Sequence, residues 1–247
     1  MTSPACPPCA RPLSGQTVLV TGAPSPIGAA ICRAVAHAGA RVVIHYHSPT
    51  SRPAAEALAA ELHAPPPFAC DLADTAAIAQ DFPLLPLDAL VNNAALFLPD
   101  TAPAADLYRM DVLNYAAPTV LLELLAEQGT PFSVINLLDA RVVPPFSGPP
   151  PRSPFSAYLQ TKRVLAASTI RDARRYAPRG IRVNGVAPGP VSLPAGTHVP
   201  AGPLPLAGAP HPTPADIAAA VLFLLASPQI TGQILYVDSG QHLALAP

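Results

Sequence analysis

A tyrosine and a lysine lie four residues apart in the segment SAYLQTK, at residues 156–162. On a helix, residues i and i+4 share one face, so the ammonium of Lys162 is expected beside the phenol of Tyr158. A neighbouring positive charge lowers the pKa of a tyrosine from its usual value of about 10 towards neutrality. Such a tyrosine can pass a proton to or from a carbonyl or imine. The same spacing also arises by chance with a solvated lysine, so its meaning depends on the rest of the chain.

Strand and helix patterns alternate along the rest of the chain. Short β-branched or apolar segments predict strands at residues 16–21, 41–45, 67–70, 89–91, 132–138, 181–187 and 233–237. Segments of helical composition lie between them, at residues 27–38, 54–62, 75–80, 104–127, 155–176 and 214–225. Pro118 is expected to kink or split the long fourth helix, while Thr213 and Pro214 begin the last one. This alternation predicts one doubly wound α/β domain, with a mostly parallel sheet of about seven strands and helices on both faces.

Composition restricts the classes of function. The 247 residues carry a formal net charge of −1, which provides no basic face for nucleic acid or anionic lipid. No apolar run reaches the ~20 residues of a membrane span, and residues 1–12 lack the apolar middle of a signal peptide. We therefore expect a cytoplasmic protein that acts on a small molecule.

Proline is concentrated in the predicted loops. Most of the 35 prolines lie at residues 4–12, 65–67, 144–154 and 188–214. Cys6 and Cys9 form a C-P-P-C motif, which could be a redox pair or half of a zinc site. No second cysteine or histidine pair completes such a site, so no metal is expected. Residues 1–14 are predicted to be a disordered, proline-rich leader, and residues 15–247 to be the folded domain.

A turn of small residues joins the first strand to the first helix. The segment TGAPSPIG at residues 21–28 lets backbone amides approach a pyrophosphate at the start of a helix. Gly22 allows the tight turn, and Gly28 allows close packing of the helix. The predicted contacts of a dinucleotide here are Gly22, Ser25, Pro26, Ile27 and Gly28.

The end of the second strand indicates which dinucleotide binds. An acidic residue at this point would hold the ribose hydroxyls of NAD, but the segment HYHSPTSR at residues 45–52 has none. His47, Ser48 and Arg52 could instead hold the 2′-phosphate of NADPH, unless they form only a polar surface loop. The missing acid and the nearby guanidinium both favour NADPH.

Polar residues also follow the third and fourth strands. Asp71, next to Leu72, could form a hydrogen bond with the adenine or could cap the following helix. Asn92, Asn93 and Ala94 place small and amide side chains where a cofactor would pass, although the amides could simply tie adjacent loops together.

Taken in order, these motifs resemble the short-chain dehydrogenase/reductase family over residues 16–243. The matching motifs are Thr21-Gly22-x-x-x-Pro26-Ile27-Gly28, Asn92-Asn93-Ala94, Asn114, Tyr158-x-x-x-Lys162, Pro188-Gly189, Thr231-Gly232-Gln233 and Val237-Asp238-Ser239-Gly240. The resemblance implies a Rossmann-type fold, cofactor contacts at Pro188 and Gly189, and a homodimer or homotetramer formed through the two long helices.

The resemblance also implies catalytic roles. Tyr158 would donate the proton, Lys162 would bind the nicotinamide ribose and tune Tyr158, and Asn114 would support a water relay. The alternative for Asn114 is a mid-helix residue whose side chain bonds to its own backbone.

A narrower resemblance is to the branch that contains pteridine reductase and dihydromonapterin reductase. Asp139 follows the fifth strand, where most of the family has serine and this branch has aspartate. Its carboxyl could accept from a ring N–H, or donate once protonated. Phe97 lies where members of the branch stack a pterin ring. The alternatives are an Asp139 that caps a helix and a Phe97 that belongs to the core.

The chain departs from this branch at several points. Pro26 replaces the usual middle glycine of the first turn, and Ala95 lacks a hydroxyl. The stretch from Asp139 to Tyr158 is longer than in the family, and its proline-rich part, residues 144–154, is expected to form a flap. The longer spacing leaves open that Ser147, Ser153 or Ser156 supplies a hydroxyl in place of Asp139; Ser239 also replaces a glycine.

Three functions compete. The first is an NADPH-dependent reductase of a pterin, with Phe97, Asp139 and Tyr158 around the substrate and residues 191–212 closing over it. The second is a reductase of another carbonyl, such as a 3-oxoacyl thioester or a sugar-derived ketone. The third is a nucleotide-binding scaffold that has lost its activity. The intact Asn114, Tyr158 and Lys162 favour the first two, and Asp139 with Phe97 favours the first.

Overall fold

Seven parallel strands form one sheet in the computed structural model, which describes residues 11–82, 86–127, 129, 132–144, 146, 153–192, 206 and 210–244. The strands are β1 (Thr17–Val20), β2 (Arg41–Tyr46), β3 (Phe68–Ala69), β4 (Ala89–Asn92), β5 (Ser133–Leu137), β6 (Arg182–Pro188) and β7 (Ile234–Val237). Their order across the sheet is β3-β2-β1-β4-β5-β6-β7, with every pair parallel. The predicted doubly wound fold is confirmed.

Helices cover both faces of this sheet. They are α1 (Pro26–His37), α2 (Arg52–Glu61), α3 (Thr75–Asp81), α4 (Ala104–Asp111), α5 (Ala117–Ala126), α6 (Ser156–Tyr176) and α7 (Pro214–Leu225). Successive strand residues face opposite ways, so Val18 and Val20 pack in one core with α1, α2 and α7, whereas Leu19 packs in a second core with α3, α5 and α6. Both faces of the strands are therefore apolar, as parallel sheets require.

The long fourth helix is interrupted by a π-helical turn, Val112–Ala116, between α4 and α5. The backbone N–H of Ala117 donates to the carbonyl of Val112, five residues back. Pro118 follows in the first turn of α5 and has no N–H to give to the preceding turn. The predicted interruption is confirmed.

Side-chain caps begin two helices, and the one at α7 is at the predicted place. At α7, Thr213 accepts from the N–H of Asp216, and Asp216 accepts from the N–H of Thr213, with Pro214 at the first helical position. At α1, the Oγ of Ser25 accepts from the N–H of Gly28 at 3.1 Å.

The folded domain begins earlier than predicted. Leu13, assigned to the disordered leader, is fully buried, and its N–H donates to the carbonyl of Ala38 at 3.0 Å. Burial of this side chain against the end of α1 attaches residues 11–14 to the core. Cys6 and Cys9, with residues 1–10, lie outside the described part of the chain, as do residues 147–152 of the expected flap and residues 193–205 of the segment expected to close over the substrate. Across the described residues, we find no helix with the length and apolar character that a membrane crossing needs.

Candidate active site

A cavity of about 570 Å³ opens where the strand order reverses, beyond the carboxyl ends of β1 and β4. Its walls come from the turn after β1, from His47 after β2, from residues 71–73 after β3 and from residues 93–96 with Leu98 after β4. Arg109 and Leu113 close the side towards α4 and the π turn. The cavity thus collects most of the residues predicted to hold the dinucleotide.

The turn after β1 leaves no space for side chains at its two glycines. Gly22 has φ of +60°, and a Cβ there would lie 3.0 Å from the Cα of Ala94. A Cβ on Gly28 would lie 2.6 Å from the carbonyl oxygen of Gly22 and 2.8 Å from that of Ala23. Backbone therefore packs directly on backbone at the start of α1, which lets a phosphate approach the turn.

The start of α1 keeps one N–H available for an anion. Pro26 has no N–H, and the amides of Gly28 and Ala29 donate to Ser25. Among the described residues, the amide of Ile27 has no hydrogen-bond acceptor. The geometry fits a dinucleotide phosphate held by Ile27 N–H and the end of the helix dipole.

His45, which we did not single out in the sequence, supports this turn from β2. Its Nδ1 accepts from the N–H of Gly22 at 3.1 Å, and its Nε2 lies 2.9 Å from the carbonyl oxygen of Cys70. These contacts require the neutral ring with the proton on Nε2. Burial lowers the pKa of His45 to about 4. The missed signal was a polar residue inside an otherwise apolar buried strand.

His45 predicts a loss of stability in acid. The unfolded chain binds a proton on this ring near pH 6.5, whereas the folded chain binds it only near pH 4. Stability from this group is therefore complete above pH 6.5 and falls by about 3 kcal/mol as the pH drops to 4. We expect the difference in unfolding free energy between wild type and His45→Asn, measured with urea, to shrink by that amount between pH 7 and pH 4. His37→Asn is the surface control; a difference independent of pH would contradict the prediction.

The three residues predicted to hold a 2′-phosphate are not brought together. His47 lines the cavity, whereas Ser48 bonds to Thr50 and Ser51 in its own loop. Arg52 begins α2 and pairs with Glu56 at 2.7 Å. Neither Ser48 nor Arg52 is part of the cavity wall.

Arg109 is the guanidinium that lines the cavity instead. It comes from α4 and bonds to the Oδ2 of Asp71 at 2.9 Å, while His47 lies 3.5 Å from the other carboxylate oxygen. Burial raises the pKa of Asp71, but its bonds from Arg109 and from the Ala73 N–H outweigh burial and lower that pKa. The alternative of Asp71 as a helix cap is wrong, because Asp74 caps α3.

The amides after β4 hold the crevice together. The Nδ2 of Asn93 donates to the carbonyls of Thr21 and Gly22 at 2.9 and 3.0 Å, and lies 3.2 Å from the Oγ of Ser25. Asn92 donates to Asn136 on β5 at 2.8 Å. These amides therefore do tie adjacent loops together, as the alternative held. Asn93 and Ala94 also line the cavity.

Residues 93–98 connect the cavity to the predicted reaction centre. Leu96 and Leu98 line the cavity, and Phe97 between them contacts the ring of Tyr158 edge to face, with centroids 4.7 Å apart. Phe97 is 52% exposed, so the alternative of a core residue is wrong. Its ring stacks on Phe155 at 4.3 Å. Tyr158, Lys162 and Asp139 are not part of the cavity wall.

Asp139 and Tyr158 meet despite the long segment between them. Arg141 bonds to the carboxylate of Asp139 and lies 5.8 Å from the ring centroid of Tyr158, so the carboxylate lies close to the phenol. The alternative of Asp139 as a helix cap is wrong, because its carboxylate accepts from Arg141. Ser153 and Ser156 bond to each other and to the backbone near the start of α6, and Ser147 lies outside the described residues.

The pKa of Tyr158 is raised, contrary to our prediction. Burial raises this pKa most, and the nearby carboxylate of Asp139 raises it further. The cation that opposes them is Arg141, whose guanidinium carbon lies 5.8 Å from the ring centroid of Tyr158. A phenol in this state keeps its proton at neutral pH, which is the state that a proton donor needs.

Lys162 lies on the expected face of α6 but bonds elsewhere. Its Nζ donates to the carbonyl of Leu137 at 2.8 Å and lies 5.9 Å from the ring centroid of Tyr158. Burial lowers the pKa of Lys162 to about 8, and the charge of Asp139 opposes this. These contacts therefore do not support the prediction that Lys162 lowers the pKa of Tyr158.

Asn114 connects the cavity wall to α6. Its Nδ2 donates to the carbonyl of Leu96 at 2.8 Å and to the Oγ1 of Thr161 at 3.1 Å, and its Oδ1 accepts from the N–H of Leu96 at 2.9 Å. The alternative of an amide bonded to its own backbone is wrong. Both amide hydrogens are used, which fixes Leu96 and the neighbouring Phe97 against the helix that carries Tyr158.

Asp100 fixes the start of that helix. Its carboxylate accepts from the N–H groups of Ser156 and Ala157 at 3.1 and 2.9 Å, although Phe155 at the cap position provides no side-chain bond.

Two predicted cofactor contacts, Pro188 and Gly189, lie at the end of β6, where a Cβ on Gly189 would lie 2.8 Å from the Cβ of Asp238. Neither belongs to the cavity wall. Within the described residues, no group of three His, Cys, Asp or Glu side chains could hold a metal ion.

A doubly wound crevice thus lies near a buried tyrosine, a buried lysine and a partly buried carboxylate. A family model described as short chain dehydrogenase matches residues 16–125, and one described as enoyl-(acyl carrier protein) reductase matches residues 151–242. An uncharacterized oxidoreductase of Schizosaccharomyces pombe is 33% identical over 255 residues, which span 92% of this chain and 91% of that protein. The chain belongs to the short-chain dehydrogenase/reductase family, and it is an oxidoreductase by that membership.

Two further relatives differ in their names. The 3-oxoacyl-[acyl-carrier-protein] reductase of Synechocystis is 30% identical over 253 residues, which span 92% of this chain and 97% of that protein. The solved structure of FolM alternative dihydrofolate reductase 1 from Brucella canis, complexed with NADP, superposes with a TM-score of 0.77 at 28% identity and covers 94% of this chain and 96% of that one.

Proposed function

We propose that this chain is an NADPH-dependent reductase of a pterin, of the dihydropteridine or dihydromonapterin kind. The observation that carries the proposal is the Asp139 carboxylate close to the phenol of Tyr158, whose ring lies edge to face against the exposed ring of Phe97. A carboxylate next to a proton donor suits a ring with N–H groups, and Phe97 offers a flat apolar surface to a fused heterocycle.

The cofactor in this proposal is NADPH, which supplies a hydride when bound. The turn with Gly22, Ser25, Ile27 and Gly28 holds its pyrophosphate, with Pro26 contributing only shape. A guanidinium at the cavity supports the assignment, since Arg109 lines it beside His47. The solved relative complexed with NADP supports the same cofactor.

The protein's own groups then manage the proton. Asp139 accepts a hydrogen bond from a ring N–H and orients the substrate over Phe97. Tyr158 donates its proton to the substrate nitrogen as the adjacent carbon is reduced, and the phenolate recovers a proton from solvent. Lys162 is available to the nicotinamide ribose, and Asn114 keeps the wall of residues 96–97 in place.

The test is oxidation of NADPH by the purified protein with dihydrobiopterin, dihydromonapterin and an acetoacetyl thioester. We expect the dihydropterins to have the higher kcat/KM. Activity confined to the thioester would overturn the pterin assignment in favour of the carbonyl alternative, which the Synechocystis relative supports. Binding of NADPH with no turnover of any compound would support the inactive scaffold.

A substitution at Asp139 sharpens this test. Asp139→Ser introduces the residue that most of the family has, and it removes the acceptor for a ring N–H. We expect kcat/KM for the dihydropterins to fall by about 10–100-fold, because a hydrogen bond to a charged group is lost. Reduction of the thioester should fall less. Asp111→Ser, on the exposed side of α4, is the control; an equal loss with all substrates would contradict the role of Asp139.

Cytoplasmic location and assembly as a homodimer or homotetramer remain proposals. Tyr108 on α4 and Ile170 on α6 support assembly through these helices, since they are 70% and 45% exposed.

A further inference from the structure

Arg141, two residues after Asp139, holds the carboxylate with three N–H groups. Its Nε donates to Oδ1 at 3.0 Å, its Nη2 donates to Oδ2 at 2.8 Å, and its backbone N–H donates to Oδ1 at 2.9 Å. The Asp139 side chain is 13% exposed and that of Arg141 is 33% exposed. A bidentate pair of this kind fixes orientation as well as charge.

The guanidinium also lies beside the two aromatic rings of the site. Its central carbon is 5.8 Å from the ring centroid of Phe97 and 5.8 Å from that of Tyr158. The charged groups that face the phenol are therefore Asp139 and Arg141 from the loop after β5, and Lys162 from its own helix. Arg141 is the group among them that contacts both the carboxylate and the rings.

We propose that Arg141 is a positioning residue of the reaction, which locks the Asp139 carboxylate in one orientation beside Tyr158 as a permanent hydrogen-bond acceptor. The inference rests on the proposed function, because it assigns the substrate side of the same site. An arginine cannot lose its charge in a protein, so its partner stays an acceptor. The substrate must then present an N–H to this carboxylate, rather than a bare carbonyl oxygen.

The fork of the guanidinium is essential to this role. A lysine at the same position would supply one point charge without two parallel bonds, so it would not fix the plane of the carboxylate. Arg141→Lys should therefore recover only part of the activity that Arg141→Gln loses. If the role of Arg141 depended on its charge alone, Arg141→Lys would have full activity.

The experiment is a double-mutant cycle with a dihydropterin as substrate. Arg141→Gln in the wild-type background should lower kcat/KM by about 10–100-fold, with KM and kcat determined separately. In the Asp139→Asn background the same change should alter kcat/KM by less than about twofold, since Arg141 acts through the carboxylate. Additive losses would overturn the proposal, because they would mean that Arg141 contacts the substrate directly.

Arg171 provides the matched control. It forms a bidentate pair with Asp172 on α6, with bonds of 2.9 and 3.1 Å, and it is not part of the cavity wall. Arg171→Gln should leave kcat and KM unchanged, and the NADPH Kd of Arg141→Gln should stay within about twofold of wild type. Parallel losses of NADPH affinity and melting temperature in Arg141→Gln would indicate a merely structural role.

A structural measurement that needs no substrate tests the role of Arg141 separately from the proposed function. A crystal structure of Arg141→Gln with NADPH should show the carboxylate of Asp139 turned away from the hydroxyl of Tyr158. An unmoved carboxylate would overturn the positioning role. Failure of the proposed function would appear already in the wild-type protein, as no turnover of any dihydropterin.

Discussion

Replacing Tyr158 by phenylalanine is expected to lower kcat by about 10²–10⁴-fold, the usual contribution of a positioned general acid. The substitution removes only the hydroxyl of Tyr158, and the carboxylate of Asp139 keeps its three bonds from Arg141. The fold and the nucleotide cavity should therefore survive. The measurement is steady-state oxidation of NADPH, with the NADPH Kd taken from cofactor fluorescence.

Tyr108→Phe is the control for this result. Tyr108 is 70% exposed on α4, so loss of its hydroxyl should leave both kcat and the Kd unchanged. Full activity in Tyr158→Phe would show that another group donates the proton. Loss of NADPH binding together with activity would show that the hydroxyl serves the cavity rather than the chemistry.

Replacing Gly28 by alanine is expected to weaken NADPH binding by at least about tenfold and to destabilise the fold by about 1–3 kcal/mol. The new Cβ would lie 2.6, 2.8 and 2.9 Å from backbone atoms of Gly22 and Ala23. Backbone cannot move away as a flexible side chain can, so the phosphate turn itself must shift. The higher helix propensity of alanine, about 1 kcal/mol, offsets only part of this cost.

Gly129→Ala separates loss of stability from loss of the turn. Gly129 has φ of +78° with open space around it, so alanine there is strained but displaces nothing, and the position is outside the cavity wall. We expect it to lower the melting temperature without changing the NADPH Kd, as measured by thermal denaturation and fluorescence titration. Normal NADPH affinity in Gly28→Ala would contradict the assignment of the turn.

Local patterns were sufficient for the fold because each element carries its own signal. The β-branched residues 42–44 are enough to predict a strand at 41–45, where β2 lies, and Thr213 with Pro214 marks the start of α7 to the residue. The shortest strand was less well defined, since pairing with β2 limits β3 to Phe68–Ala69. The ends of such a strand depend on tertiary contacts, which cannot be seen in the sequence.

Most residues of the site could be predicted from the sequence, but some of their hydrogen-bond partners could not. Tyr158 and Lys162 do share a face of α6, as helical spacing requires. A buried ammonium needs an acceptor, however, and the carbonyl of Leu137 at 2.8 Å provides it. Sharing a helix face with Tyr158 therefore did not determine which group the ammonium of Lys162 bonds to.

Arg141 and His45 were missed for different reasons. Arg141 lies in a loop, where no periodicity indicates the direction of a side chain, and an arginine there resembles any surface residue. His45 follows three buried apolar residues in its strand, and its two bonds join turns that are distant in sequence. The same limit applies to Arg109, which reaches from α4 to Asp71 in the loop after β3.

The π turn at Val112–Ala116 allows one stretch of helix to serve two separate interiors. Before it, Met110 packs with Tyr158 and Leu159; after it, Leu121 and Leu125 pack beneath the sheet with α3. One extra residue rotates the downstream helix by about 100° relative to an uninterrupted one, because a regular turn holds 3.6 residues. Deleting a single residue here would bring both apolar stripes into phase, so that only one of the two interiors could be filled at a time.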